Sequence, residues 1–338
     1  VAVVGGSGYG GAELLRLLLQ HPAVEIAAVT SRQEAGTPVW RSHPNLRAST
    51  DLVFTAYDPA ALERCDVAFF ALPHGEAMAL IPELLQRGRP RIIDLSGDFR
   101  LKDAALYPEH YGRPHAAPDR LAGAVYAIPE FFGEELRDAQ LVANPGCFAT
   151  AAILALLPPL KAGLKVERVA LAAATGSSGS GATPSPKTHH PERSEAYYAY
   201  KPLEHQHVPE ILQAAARFRP APLPFAFVTH SAPFVRGIHA TLFLTFREPV
   251  DAAALRDAYR REYRAAPFVR VLEGPPDVRH VARTNWADLH VTARGDTAVV
   301  LCAIDNLVKG MAGNAVQAMN LVFRLPEDTG LRSPGFHP

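Results

Sequence analysis

The sequence predicts an α/β chain in two parts. The first is a Rossmann-type dinucleotide-binding domain over residues 1–146, built on a doubly wound parallel sheet. The second is an α+β domain over residues 147–306 with a largely antiparallel sheet. Three observations carry this reading. A buried strand, Val1-Ala2-Val3-Val4, runs into the glycine-rich turn Gly5-Gly6-Ser7-Gly8-Tyr9-Gly10-Gly11 and then into a helical run. Apolar runs of strand length alternate with helical runs up to Asn144, the pattern of a parallel sheet covered on both faces. Beyond residue 165 the strands instead alternate apolar and polar residues, as antiparallel strands do. The length, 338 residues, suits two domains with cores of their own.

Gly5, Gly8 and Gly11 are spaced G-x-x-G-x-x-G, a variant of the dinucleotide fingerprint. Glycines let the backbone turn tightly and approach a pyrophosphate, which sits on the helix N-terminus. Gly5, Ser7, Gly8, Tyr9, Gly10 and Gly11 are therefore candidate cofactor contacts. The second strand, Val24 to Thr30, ends in Ser31-Arg32, where an NAD site usually offers an acidic residue to the ribose 2′-OH. A hydroxyl and a guanidinium suit a 2′-phosphate instead, so NADP(H) is expected, with Arg32 as a solvated loop residue the alternative. Further strands are read at 66–72 and 91–96. The loops after them face the ligand crevice and offer Leu72, Pro73, His74, Ser96 and Arg100. His74 is either a ligand contact or a residue at a helix start making local hydrogen bonds. Arg100 is either a phosphate binder or one half of a surface ion pair with Asp98 or Asp103.

The stretch Asn144-Pro145-Gly146-Cys147-Phe148-Ala149-Thr150 precedes an apolar helix that Pro158-Pro159 should close. Cys147 thus sits at a helix N-terminus, where N–H groups and the dipole favour the thiolate. It is either a nucleophile or a small buried apolar residue. The strand 166–172 leads into a Gly/Ser-rich loop containing Ser177 and Gly179, read as a backbone nest for an anion, with a plain loop as the alternative. Strands follow at 225–230, 239–246, 290–292 and 297–304, with a helix over 251–263. A last helix over 309–323 closes the chain, and the segment 307–338 is expected to pack back on the first domain. The histidine pairs at 189–190 and 205–207 lack a carboxylate or thiol at zinc-ligand spacing, so no metal is expected.

Composition narrows the partners. Lysine plus arginine equals aspartate plus glutamate at 34 each, which argues against nucleic acid or an anionic membrane surface as partner. The apolar runs fall short of a membrane span. Three scattered cysteines fit a reducing compartment and argue against a disulfide framework. The chain opens inside an apolar run without Met, so a few N-terminal residues are expected to be missing, and no leader pattern is seen. The cytoplasm is the expected location.

With these residues in view, the chain resembles the N-acetyl-γ-glutamyl-phosphate reductase family, which shares its fold with the aspartate-semialdehyde dehydrogenases. The matching pieces are 5–11, 94–100, 144–150, Tyr200-Lys201-Pro202, His205-Gln206-His207-Val208-Pro209-Glu210, Arg236-Gly237 and 305–310, in family order along nearly the whole chain. Gly10 departs from the Thr or Ala of many relatives. The resemblance implies Cys147 as nucleophile, His207 as acid/base with His205 as rival, and Arg100, Asn144 and Arg236 as substrate contacts. It also implies Asn306 near the nicotinamide and a homodimer or homotetramer. A finer resemblance of residues 188–193 is to the branch acting on substrates borne by a small acidic amino-group carrier protein in lysine biosynthesis, which implies His190 and Arg193 as substrate contacts. The implied reaction is NADPH-dependent reductive dephosphorylation of an acyl phosphate through a Cys147 thioester. The alternatives are an aspartyl-phosphate-type semialdehyde dehydrogenase, a non-catalytic NADP-binding redox sensor, and a metal-dependent hydrolase built on the histidines.

Overall fold

A computed structural model describes residues 1–335; the last three residues of the expected 307–338 segment lie outside the described residues. The chain divides into two units, Val1–Pro145 with Met311–Arg332, and Gly146–Gly310 with the C-terminal residues from Ser333.

The first unit is built on six parallel strands: β1 (Ala2–Val4), β2 (Ala28–Thr30), β3 (Val67–Phe70), β4 (Arg91–Asp94), β5 (Ala124–Tyr126) and β6 (Leu141–Ala143). Their order is β2-β1-β3-β4-β6-β5, and every pair is parallel. Order reverses between β1 and β3, the switch point at which such sheets leave a crevice beyond the strand C-termini. The strands are short and nearly all buried because helices cover both faces. The Tyr9–Leu18 helix turns Leu14, Leu15, Leu17 and Leu18 inward. The Ala77–Arg87 helix ends on Gly88, whose φ of 77° makes the left-handed cap that glycine adopts without strain. The second strand is shorter than the expected 24–30, since β2 pairs with β1 over three residues only.

A helix at Gly313–Val322 belongs to this unit and is held by a stripe of buried amides. Asn314 donates to Ala127 C=O at 2.8 Å and to Asn144 Oδ1 at 2.9 Å. Gln317 donates to Glu130 and Glu327, and Asn320 donates to the carbonyls of Glu327 and Thr329 while its Oδ1 bonds His21 Nε2 at 2.9 Å. The single helix read over 309–323 is in fact two elements. A π-helical turn, Val308–Ala312, precedes the α-helix, and the boundary between the units falls inside it.

The second unit carries seven strands: β7 (Val166–Thr175), β8 (Tyr198–Tyr200), β9 (Phe225–Ser231), β10 (Ile238–Phe246), β11 (Val269–Val271), β12 (Ala287–Arg294) and β13 (Thr297–Ile304). Their order is β11-β12-β13-β10-β7-β9-β8. Four of the six pairings are antiparallel; β11–β12 and β7–β9 are parallel. Alternation is clean: Val169, Leu171, Leu242, Leu244 and Val300 face the core, while Ala170, Ala172, Phe243, Val299 and Leu301 are exposed or half-buried on the other face. The Cys147–Lys161 helix packs within this core, with every residue from Phe148 to Leu160 buried, as its all-round apolar sequence requires.

Pro158 and Pro159 do not close that helix. They lie inside it, and each removes the N–H that would bond the carbonyl four residues earlier. Those two carbonyls have other donors. Tyr263 donates its hydroxyl to Leu154 C=O and Tyr259 donates to Ala155 C=O, both from the last turn of the Ala252–Glu262 helix and its cap. The helix therefore runs on without leaving those two carbonyls orphaned.

Candidate active site

The glycine turn of the first unit is packed too tightly for side chains at three positions. A Cβ on Gly5 (φ 83°) would lie 2.6 Å from Ala71 C=O, one on Gly6 would lie 2.4 Å from Val29, and one on Gly11 would lie 2.5 Å from Gly6 C=O. Gly8 differs, because a Cβ there meets nothing within 4 Å. Close approach at Gly5, Gly6 and Gly11 and open space at Gly8, over the start of the Tyr9–Leu18 helix, is the shape a pyrophosphate needs. Gly5 and Gly6 N–H both donate to Thr30 C=O, and Ser31 Oγ donates to Ser7 Oγ at 3.0 Å, so the second strand end is tied to the turn. Arg32 is 82% exposed at its side chain and pairs with Glu76 at 2.7 Å. A surface pair of this kind is weak and leaves the guanidinium accessible to a competing phosphate.

The loops after β3 and β4 form a second cluster. His74 is exposed, and its Nδ1 accepts from Gly97 N–H at 2.7 Å, which fixes the tautomer with the proton on Nε2. That bond spans 23 residues, so His74 is not making local contacts only. Ser96 differs from expectation. It is buried, its hydroxyl donates to Asp94 at 2.8 Å, and it accepts from Asp98 N–H, an arrangement internal to the loop. Asp98 receives the N–H groups of Gly75 and Met78 and so serves the start of the Ala77–Arg87 helix. Asp94 is fully buried, and burial together with the neighbouring Asp98 pushes its carboxyl up to about 7, against the pull of Ser96 and Arg100.

Arg100 is no surface ion pair. It is 5% exposed, with Nε donating to Asn144 C=O at 2.8 Å and Nη2 to Leu95 C=O at 2.9 Å. Asn144 likewise departs from a substrate-contact role: it is 0% exposed, accepts from Asn314 and donates to Met311 C=O at 3.1 Å. Its amide is a joint between β6 and the C-terminal segment of the same unit.

In the second unit Cys147 is the first residue of its helix and half-buried, and none of the three cysteines is in a disulfide. Gly146 precedes it as the N-cap, and its N–H donates to the buried carboxylate of Glu210 at 3.0 Å. A Cβ on Gly146 would lie 2.2 Å from His207 Nε2, so the imidazole rests on the backbone beside Cys147. Glu210 Oε1 lies 3.9 Å from His207 Nε2. On the far side Gly310 closes the site, because a Cβ there would lie 2.7 Å from Cys147 Cβ. His205 and His207 stack edge to face, centroids 4.5 Å apart. His205 is buried, its Nδ1 accepts from His207 N–H, and burial with His207 and Lys201 nearby pushes its imidazole down to about 2. It is a neutral ring at any ordinary pH. The Tyr200 phenol is driven above its usual range, by burial first and then by the neighbouring Cys147. Glu210 and Tyr200 had no role assigned from sequence, although both stand inside matched segments.

Most other candidates of the second unit are engaged within it. The loop after β7 is no open nest: the N–H groups of Gly176, Ser177, Ser178 and Gly179 donate to the carbonyls of Gly237, Phe234, Val235 and Gly176. Asn306 is buried, accepts from Gly237 N–H at 2.7 Å and donates to Ser178 Oγ at 3.0 Å, so it pins that loop to the turn after β9. Arg193 is buried and donates to the carbonyls of Ala196 and Ala232, whereas His190 is exposed. Arg236 is bidentate with Asp305, both bonds at 2.9 Å. Asp305 also accepts from Arg283, Leu307 and Val308 N–H, which fixes the direction of that guanidinium. Among the described residues no group of three or more His, Cys, Asp or Glu side chains is arranged to hold a metal ion, and no helix is long and apolar enough to cross a membrane.

Comparison with known proteins agrees with both units. Residues 1–139 match the family described as semialdehyde dehydrogenase, NAD binding domain, and residues 147–306 match semialdehyde dehydrogenase, dimerisation domain. The N-acetyl-gamma-glutamyl-phosphate reductase of Methanopyrus kandleri is 46% identical over 100% of this chain and 99% of its own. That of Nitrosococcus oceani is 46% identical over 98% and 97%. Among solved structures, aspartate semialdehyde dehydrogenase with NADP from Candida albicans superposes with a TM-score of 0.72 at 14% identity, covering 95% of this chain and 97% of that one. Aspartate semialdehyde dehydrogenase II from Vibrio cholerae gives 0.70 at 16%, covering 96% and 97%. These two show the fold. The glycine turn over a helix start, the half-buried cysteine at another, and relatives matched end to end lead to one conclusion: the chain belongs to the N-acetyl-gamma-glutamyl-phosphate reductase family of NAD(P)-linked semialdehyde dehydrogenase-type oxidoreductases.

Proposed function

We propose that the chain catalyses the NADPH-dependent reductive dephosphorylation of N-acetyl-γ-glutamyl phosphate to its semialdehyde, with the first unit holding the dinucleotide and the second carrying the chemistry and the oligomer contacts. The observation that carries this reading is Cys147 at a helix N-terminus, beside a histidine that a buried carboxylate faces. The helix start favours the thiolate. The thiolate attacks the acyl carbon, phosphate leaves, and a thioester remains on Cys147. Bound NADPH is the source of the hydride that turns the thioester into a thiohemiacetal. Collapse of that adduct releases the semialdehyde and restores the thiolate, with His207 holding and returning the proton. Glu210 supports the protonated form of His207 in this scheme. His205, kept neutral by burial, supports the loop and not the proton transfer. Tyr200 is a candidate donor toward the sulfur or the oxyanion formed on it. Arg236, aimed by Asp305, is the best supported anion contact of the second unit.

The choice of NADP rests on Ser31 and the accessible guanidinium of Arg32. Arg193, turned onto carbonyls of its own unit, lends the carrier-linked aminoadipyl reading no contact, so the free N-acetylated substrate is preferred. The apolar row Ala170, Phe243 and Val299 across β7, β10 and β13 is the face we assign to a second copy. Three cysteines outside any disulfide suit the cytoplasm. The test is phosphate-dependent reduction of NADP⁺ with N-acetylglutamate semialdehyde. Turnover that vanishes in Cys147→Ser supports the assignment. Near-full turnover in that variant, or none in the wild type despite NADP⁺ binding, overturns it.

A further inference from the structure

Between β2 and β3 the chain makes an excursion away from the sheet. It is tied to the sheet by the bridge Thr30–Thr55 and closed on itself by the bridge Pro38–Val53, with Phe54 N–H donating to Thr37 C=O and Val39 N–H to Leu52 C=O. Inside it, between the short helix Val39–Ser42 and the turn Pro44–Leu46, stands His43. Its ring is 6% exposed, lies edge-on to Phe54, and its Nε2 is 2.8 Å from Gly6 C=O. A carbonyl only accepts, so Nε2 carries the proton and donates.

The acceptor is what matters. Gly6 C=O and Ser7 N–H belong to one planar trans peptide, in which the two groups point in opposite directions. A carbonyl held toward His43 therefore turns Ser7 N–H away from it. Ser7 and Gly8 N–H find no acceptor among the described residues, and the space at Gly8 is open. Gly5 and Gly6 N–H, by contrast, are engaged by Thr30 C=O, and Gly11 rests on Gly6. The peptide that His43 holds is the one whose amide, Ser7 N–H, is left for a ligand.

We propose that His43 is a positioning residue of the dinucleotide site: its Nε2–H clamps Gly6 C=O and so presents the Ser7 amide to a pyrophosphate. The proposal rests on the dinucleotide reading of this turn. The excursion then has a purpose, which is to carry an imidazole beneath the loop from the side opposite the ligand. Without the clamp the peptide can rotate, and the amide must be ordered at the expense of binding.

The experiment compares NADP⁺ with adenosine 2′-monophosphate, which has no pyrophosphate, in binding to the wild type, His43→Ala, His43→Gln and His43→Asn. In His43→Ala the NADP⁺ affinity should fall about tenfold, with KM for NADPH rising in step and kcat changing less than about threefold. Affinity for adenosine 2′-monophosphate should stay within about twofold, because one lost hydrogen bond to the turn leaves the 2′-phosphate contacts alone. His43→Gln places a donor near the Nε2 position and should retain NADP⁺ affinity, whereas His43→Asn is too short and should lose it. Equal losses for both ligands, an unchanged NADP⁺ affinity in His43→Ala, or identical behaviour of the Gln and Asn variants would overturn the clamp. If the wild type itself failed to bind NADP⁺, the dinucleotide reading would be the one to fall. Should the alanine protein not fold, the Gln and Asn pair decides.

Discussion

Glu210 holds the residue before the cysteine: its buried carboxylate accepts the Gly146 N–H at 3.0 Å while its other oxygen faces His207 at 3.9 Å. One side chain thus fixes both the turn into the nucleophile and the base beside it. Glu210→Gln keeps an acceptor for Gly146 but removes the charge that favours the imidazolium. We expect kcat to fall about 10–100-fold with little change in melting temperature, and His207→Asn to fall further, by about 10²–10⁴. His205→Asn should lose less than about tenfold. Steady-state kinetics on the three variants checks the order; equal losses at His205 and His207 would reject the division of roles.

Asp94 makes stability depend on pH. Its carboxyl titrates near 7 in the fold against an ordinary value of 3.8, so between those values the folded state binds more protons than the unfolded state. Its contribution is complete below pH 4 and is lost as pH rises through about 7. Denaturant unfolding should show a loss on the order of 1–3 kcal/mol from pH 5 to 8 that Asp94→Asn abolishes. A wild type and variant with parallel pH profiles would count against it.

Arg32 and Glu76 form an exposed pair that a 2′-phosphate must break. Arg32→Ala should raise KM for NADPH about tenfold and leave KM for NADH nearly unchanged. Glu76→Gln should lower KM for NADPH modestly. Kinetics with both cofactors separates these outcomes from a general loss of fold.

Two tyrosines stand in for two missing amides. Tyr263→Phe leaves Leu154 C=O buried without a donor and should cost about 1–3 kcal/mol. In a Pro158→Ala background the alanine N–H can take over that carbonyl, so the same change should cost less than half as much. A double-mutant cycle measures the difference, and strict additivity would refute the substitution of hydroxyl for amide.

Phe243 is 46% exposed in the middle of β10, flanked by Ala170 on β7 and Val299 on β13. Phe243→Asp should convert the oligomer to monomers on a sizing column without unfolding the chain. An unchanged elution volume would move the interface elsewhere.

Periodicity made the two sheets and the glycine turn legible from the chain alone, because strand and helix periods and the G-x-x-G-x-x-G spacing are local properties. What escaped it depends on partners distant in sequence. Asn144, Asn306 and Arg193 read as ligand contacts because polar side chains in matched motifs look alike whether they face a ligand or a carbonyl or hydroxyl 39 or more residues away. The loop after β7 read as a nest because nothing in Gly176 to Gly179 announces that residues 234–237 will take its N–H groups. The prolines read as a helix end because their rescue lies at Tyr259 and Tyr263. Glu210 sat in plain view in a matched segment, three residues beyond His207, a spacing that puts both on one side of a helix start.

The first unit is split in the chain: Val1–Pro145 is made first, Met311–Arg332 follows near the end, and residues 146–310 of the second unit come between. At about 5–20 residues per second the ribosome needs on the order of 10–30 s to pass from one half to the other. During that interval Asn144, Ala127, Glu130 and His21 wait without the amides of Asn314, Gln317 and Asn320. The nascent chain therefore has nearly all of its second unit in hand before its first is complete, and a chain cut short after Gly310 is a protein whose nucleotide half was never sealed.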